Sequence, residues 1–119
     1  MIVVRNVFRL KFGKARDAVA LWQEGMEMMR RKGRFRETRL MTDVASDFYT
    51  LVFENSYDSL ADLEREMQST MADPDWKAMY QRFVPLAESG YREIFTLVGS
   101  SAPSLGGAES RERAAAGSG

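Results

Sequence analysis

The chain has 119 residues, 45% of them hydrophobic, which suffices for one domain with a sizeable core. Seventeen basic and seventeen acidic residues cancel, so no global field draws in nucleic acid or an anionic membrane. Cysteine and histidine are both absent, which removes disulfides, thiolate metal sites, the usual general base and the usual haem ligand.

No stretch approaches the roughly 18 consecutive apolar residues of a membrane span. The opening MIVVRN lacks a charged segment followed by an apolar one, so it does not read as a secretory signal, and a cytoplasmic protein is expected. Ile2–Leu10 alternates as a strand, with Ile2, Val4, Asn6, Phe8 and Leu10 on one face and Val3, Arg5, Val7 and Arg9 on the other. After a short turn at Lys11–Gly13, Lys14–Lys32 reads as a helix. Its apolar stripe is Ala15, Ala18, Val19, Trp22, Met26 and Met29. Cations at Arg30, Arg31 and Lys32 suit its C-terminal dipole, and Gly33 suits a left-handed stop. Gly25 sits mid-helix at a cost of about 1 kcal/mol relative to Ala, which calls for close packing there or room for a ligand.

Phe35–Val44 reads as a second strand interrupted by Arg36, Glu37 and Arg39, and Ala45–Asp47 as its hairpin loop. Phe48–Asn55 reads as the third strand. Phe48, Thr50 and Val52 face one way and Tyr49, Leu51 and Phe53 the other, so both faces are largely apolar. Asp58 or Ser59 caps a helix whose buried stripe is Leu60, Leu63, Met67 and Met71. Asp73-Pro74 starts another, with Trp76, Met79, Tyr80 and Phe83 on its apolar side and Pro85 and Gly90 ending it. Tyr91–Val98 is the last strand. Residues 100–119 are rich in Gly, Ala and Ser and bury too little to offset their ordering entropy, so a flexible tail follows a domain of residues 1–99.

The order strand–helix–strand–strand–helix–strand is an α+β, ferredoxin-like βαββαβ plan. Right-handed crossovers put the helices on one face of a four-stranded antiparallel sheet. The other face, carrying Val3, Val7 and apolar residues of the later strands, is left bare. A second copy packed sheet to sheet would cover it, so a homodimer is expected.

Several segments resemble one family. The KFGK turn into a helix ending RRKG, the strand running into FENSYDSLADLE, ADPDWKAMYQRF, and the closing GYREIFTLV look like the NIPSNAP-like branch of the dimeric α/β barrel proteins, across roughly residues 2–98. That resemblance implies a homodimer with a pocket between each sheet and its helices. The wider superfamily includes cofactor-independent antibiotic-biosynthesis monooxygenases and haem-degrading enzymes. Haem degradation does not fit, because it needs an axial histidine and a tryptophan where this chain has Glu64, Arg65 and Glu66.

Asn6 breaks an apolar strand face, and in the monooxygenase and haem-degrading relatives a strand asparagine faces the pocket. Its amide suits hydrogen bonding to a carbonyl, and satisfaction by backbone or water accounts for it as well. Trp22, Met26, Trp76, Tyr80 and Phe83 suit a soft aromatic pocket for a flat ligand, and ordinary packing against the sheet accounts for the same spacing. Of the strand arginines Arg5, Arg9, Arg39 and Arg92, one would bind a carboxylate or phenolate and the rest would pair with Glu37, Glu54 or Glu93. Asp73 and Asp75 read as helix-start residues, not metal ligands. The expected function is binding of a small apolar or aromatic molecule with no cofactor. The alternative is a cofactor-independent monooxygenase or isomerase of an aromatic polyketide-like substrate, positioned by Asn6, Arg92 and Tyr80.

Overall fold

The computed structural model describes residues 1–35 and 37–101. Arg36 and the expected tail beyond residue 101 lie outside the described residues. In chain order the elements are β1 (Ile2–Leu10), α1 (Ala15–Arg31), β2 (Thr38–Thr42), β3 (Thr50–Tyr57), α2 (Leu60–Ala72), α3 (Pro74–Phe83) and β4 (Ala87–Thr96), with a 3-10 turn at Val84–Leu86. The strands form one antiparallel sheet in the order β2-β3-β1-β4, the ferredoxin-like arrangement. Among the described residues no helix is long and apolar enough to cross a membrane.

Local chemistry explains the element ends. At the end of α1, Gly33 adopts φ +77°. The Gly33 N–H then donates to the Arg30 carbonyl and the Arg34 N–H to the Met29 carbonyl, each at 2.9 Å. That pair of bonds is a Schellman stop. Ser59 caps α2 by accepting from the Asp62 N–H, and Asp73 caps α3 by accepting from the Asp75 and Trp76 N–H groups, with Pro74 in the first turn.

The bounds of the three later strands differ from the sequence reading, two of their starts for a backbone reason. Phe35 has φ 55° and Tyr49 has φ 64°, left-handed values that no strand residue adopts. So β2 starts at Thr38 and β3 at Thr50, and Phe48 sits in the connecting turn, 70% exposed. At the other end, β4 begins at Ala87, not Tyr91. Gly90 therefore lies inside β4, opposite Phe8, where a Cβ would stand 2.7 Å from the Phe8 ring. The missing side chain lets that ring lie across the neighbouring strand. Gly25 has a similar origin: a Cβ there would meet Met79 Cε at 2.7 Å, so it allows α1 and α3 to approach closely.

The register sorts the side chains. Val4, Asn6, Phe8 and Leu10 of β1 share the inner face with Leu51, Phe53, Asn55 and Tyr57 of β3 and with Arg92 of β4. The helices cover this face, and the core joins Leu10, Leu51 and Phe53 to Ala18, Leu21, Trp22, Met79 and Phe83. The outer face is less apolar than the strand pattern suggests, because β3 contributes Thr50, Val52, Glu54 and Ser56 to it. Arg39, Glu54, Arg5 and Glu93 form a row of alternating charge straight across that face. Arg39 reaches Glu54 at 2.9 Å, and Arg5 lies 3.8 Å from Glu54 and 4.0 Å from Glu93. Val3, Val7, Val52, Met41, Tyr91 and Phe95 flank the row.

A second ionic group ties the helices together. Asp73 receives Lys32 Nζ at 2.8 Å and Arg34 Nη1 at 3.2 Å, while Arg34 also donates to Thr70 Oγ1. The Lys32 hydrogen bond, with the two backbone N–H groups it caps, holds the Asp73 carboxyl below the usual carboxylate range. A depressed folded-state pKa gives stability that is present above the unfolded value of 3.8 and lost as pH falls through the folded one. Asp73→Asn is therefore expected to lower the thermal midpoint at neutral pH. The gap from wild type should close as pH drops below 3.8, and a gap independent of pH would contradict this role.

Candidate functional site

The helices cover the inner face unequally. Helix α1 buries Ala18, Leu21, Trp22, Gly25 and Met29, whereas α2 buries only Leu63 and Thr70. Leu60 and Met71, expected in the buried stripe of α2, are exposed, Met71 by 66%. Packing of α1 is set by Trp22, whose ring lies 4.9 to 5.5 Å from those of Phe8, Phe53, Trp76 and Phe83. Beside that plug, under α2 and the start of α3, a cavity of about 440 Å³ remains. Its size is that of a small-molecule site.

Its floor is the inner sheet face at Val4, Asn6, Phe8, Phe53, Asn55, Tyr57 and Arg92. Leu63, Met67, Thr70 and Met71 of α2 and Trp76, Lys77, Tyr80 and Gln81 of α3 form the opposite wall. Of the residues singled out from sequence, Asn6, Trp22, Trp76, Tyr80 and Arg92 thus come together. Met26 does not, and Phe83 stands against Trp22 and Tyr80 without lining this cavity. Met26 lies in a groove between α1 and β2, beside Val19 and Leu40. Phe83 is buried in the core, edge-on to Phe8 and Trp22.

At one edge Arg92 Nε donates to Asn6 Oδ1 at 2.7 Å, and Arg92 Nη1 lies 3.7 Å from Met67 Sδ. The two residues are cross-strand partners in register. The other strand arginines have acidic neighbours: Arg5 has Glu54 and Glu93, Arg9 has Asp47 and Glu88, and Arg39 has Glu54. Arg92 has no carboxylate partner among the described residues. No carboxylate lines the cavity either, while Lys77 and Arg92 do. The cavity is thus apolar with a cationic bias.

At the other end, Asn55 Nδ2 donates to Tyr57 Oη at 2.6 Å. Burial, assisted by the charge of Glu66, pushes the Tyr57 phenol up to about 12, while Arg92 and Arg34 oppose the shift. At ordinary pH it is a neutral hydroxyl, not a base. Asn55 and Tyr57 also border a more polar groove of about 400 Å³, where Arg34 pairs with Glu66 and Arg65 with Asp62. Sequence reading passed over Asn55 and Tyr57 because it ended the strand at Asn55. The signal was present: residues 55 and 57 continue the alternation of Leu51 and Phe53 onto the same face. Among the described residues no group of three or more His, Cys, Asp or Glu side chains is placed to hold a metal ion.

Residues 4–102 match the family model described as NIPSNAP. Among solved structures, an uncharacterized NIPSNAP domain protein from Burkholderia xenovorans is 21% identical with a TM-score of 0.72, covering 87% of this chain and 100% of its own. A NIPSNAP family protein from Agrobacterium tumefaciens is 20% identical with a TM-score of 0.75, covering 84% of this chain and 88% of its own. SnoaB, a cofactor-independent oxygenase from Streptomyces nogalater, is 14% identical with a TM-score of 0.65, covering 84% and 95%. At these identities the likeness is one of fold. A comparison with curated proteins returns no match.

The four tyrosines allow a direct check of the cavity's polar end. Between pH 10 and about 12 the unfolded chain loses the Tyr57 proton before the folded chain does, so stability should fall through that window. An ultraviolet titration is expected to show one phenol ionising near pH 12, and Tyr57→Phe should remove that step. Retention of the step in the variant would assign it to another residue.

Proposed function

The chain belongs to the NIPSNAP family, and from that premise we propose that it is a homodimeric domain that binds a small, flat, electron-rich aromatic molecule between its sheet and helices. The observation that carries the ligand reading is the cavity beside Trp22, apolar on its walls and bordered by a guanidinium with no carboxylate partner. Trp22, Trp76 and Tyr80 offer ring faces and edges to a planar ligand. Arg92, steadied by Asn6, offers its remaining N–H groups to a carboxylate, phenolate or enolate oxygen. A neutral apolar molecule would use only half of this site.

The outer sheet face supports the second copy. Tyr91 is 61% exposed and Phe95 48%, and both stand beside Val3 and Val7. The charge row between them holds two arginines and two glutamates, so it is neutral as a whole and suited to lie against its own copy. Each pair in it contributes at most about 1 kcal/mol while exposed. The apolar flanks therefore supply the affinity and the charges the register.

A second reading draws on the fold shared with SnoaB, described as a cofactor-independent oxygenase. An acidic ketone such as an anthrone would lose a carbon-bound proton to water, with the enolate oxygen held by Arg92. Dioxygen would then deliver one atom to that carbon as a new carbonyl, and the other would leave as water. Tyr57 is too weak a base to assist, so the substrate's own acidity sets the rate.

Calorimetric titration with naphthoate is expected to give one site per chain, with a raised thermal midpoint. Arg92→Gln should weaken binding at least about tenfold, the worth of one charge-assisted hydrogen bond. Absence of heat and of midpoint shift with naphthoate would contradict the ligand reading, and oxygen uptake with anthrone would add the oxygenase reading to it. Sedimentation should give a two-chain mass at micromolar concentration and a single-chain mass for Tyr91→Asp. A single-chain mass for the wild type would contradict the dimer.

A further inference from the structure

Most lysines and arginines among the described residues pair with a carboxylate, down to the exposed Arg30, Arg31 and Arg82. Lys77 and Arg92 do not, and both line the cavity beside Trp22, which has no acidic residue in its walls. Lys11, Lys14 and Arg16 also lack such a partner among the described residues, but none of them borders this cavity. In a chain whose seventeen basic and seventeen acidic residues cancel, two unneutralised cations on one cavity are a local excess of positive charge. The more polar groove beyond Asn55 and Tyr57 is the opposite case. There Arg34 and Arg65 are met by Glu66 and Asp62, and Glu37 and Asp58 stand in the lining too.

The two cations stand on opposite walls of the cavity and toward different strands. Helix α3 begins over β3: the Trp76 ring lies 5.3 Å from that of Phe35, which packs in turn on Phe53. The helix ends toward β4, where Phe83 lies 4.9 Å from Phe8 and borders, with Gly90 and Arg92, the groove along that strand. So α3 runs across the sheet from the β3 side to the β4 edge. Lys77 closes its first turn, and Arg92 lies on β4 at the far edge. Trp76, Lys77, Tyr80 and Gln81 recur at the spacing of one helix face, so the cavity side of α3 presents an amine among ring systems.

We propose that the cavity takes aromatic dianions: planar ligands with one carboxylate on Arg92 and a second, at the remote end, beside Lys77. The proposal rests on the ligand reading above and adds to it the charge of the ligand's other end. A monoanion satisfies Arg92 and leaves the Lys77 ammonium with water alone. A second carboxylate beside Lys77 keeps part of its own hydration, because Lys77 is exposed, so the pair has the modest strength of a surface ion pair and not the cost of a buried one. Lys77 then sets specificity without holding the fold. It carries no ion pair among the described residues, and its backbone N–H bond to the Asp73 carbonyl does not depend on the side chain.

The test uses three probes in calorimetric titration: a symmetric naphthalene dicarboxylate with its acids on opposite rings, its monomethyl ester, and naphthoate. The ester has the size of the diacid and a single charge. The diacid is expected to bind about tenfold tighter than the ester, about twofold from its two equivalent ends and about fivefold from the added ion pair. In Lys77→Gln that ratio should fall to about two, and in Lys77→Arg it should stay near about ten. In the wild type it should also shrink toward about two as salt rises from about 0.05 to about 0.5 M, since an exposed pair is screened. A ratio of about two in the wild type at low salt, or a larger one that Lys77→Gln leaves unchanged, would overturn the proposal, while naphthoate binding would keep the ligand reading standing. A preference lost in Lys77→Arg as well as in Lys77→Gln would tie it to side-chain shape instead of charge and overturn it too. No binding of any probe would overturn both readings.

Discussion

Trp22 is the contact on which the site depends. It is buried between the sheet and α3, against Phe8, Phe53, Trp76 and Phe83, and each such aromatic pair contributes about 0.5–1.5 kcal/mol beyond its area. That plug fixes the height of α1 and α3 above the strands. Helix α2 has no equivalent. It buries Leu63 and Thr70 and is moored at its end by the Arg34–Asp73–Lys32 ionic group. A sheet with one face covered by a tightly packed helix and a loosely packed one must leave space under the second. The cavity is that space, and the partly exposed Met67 and Met71 are apolar side chains with no core to fill.

The two faces of the sheet divide the chemistry by register alone. Odd-numbered positions of β1 send Arg5 and Arg9 outward to pair with acids on neighbouring strands and on the β2–β3 connection. Even-numbered positions send Asn6 inward, beside Arg92. Arg92 has no carboxylate beside it among the described residues, and since it is exposed at the cavity's edge water solvates its charge. That suits a group that waits for an anion. The protonated Tyr57 hydroxyl and the Asn55 amide make the opposite end of the floor neutral, so the floor is polarised along the strand order β4 to β3.

Much of the fold was legible in the chain. The alternation of Ile2–Leu10, the cations before Gly33, and Asp73-Pro74 each specify a local structure with few competitors, and each appears as read. The later strands were displaced by two to four residues. Phe35 and Tyr49 take left-handed backbone conformations that favour glycine, so no residue type marked those turns. Gly90 resembled a helix stop because glycine serves as readily for close approach, here to the Phe8 ring. The stripe Leu60, Leu63, Met67 and Met71 has the spacing of a core face, and periodicity does not tell a core face from a cavity wall. The same limit placed Met26 and Phe83 in the pocket when one faces a side groove and the other the core. Asn6 stood out because it is polar on an apolar face.

The central claim is that the space beside Trp22 receives a flat organic anion. The eight methionines make it testable by methyl nuclear magnetic resonance on the full chain. On titration with naphthoate, the Met67 and Met71 methyls should shift in saturable fashion, while Met29 in the core, Met26 in the side groove and Met41 on the outer sheet face stay in place. Shifts confined to Met26 or Met41, or no saturable shift at any methyl, would contradict the account.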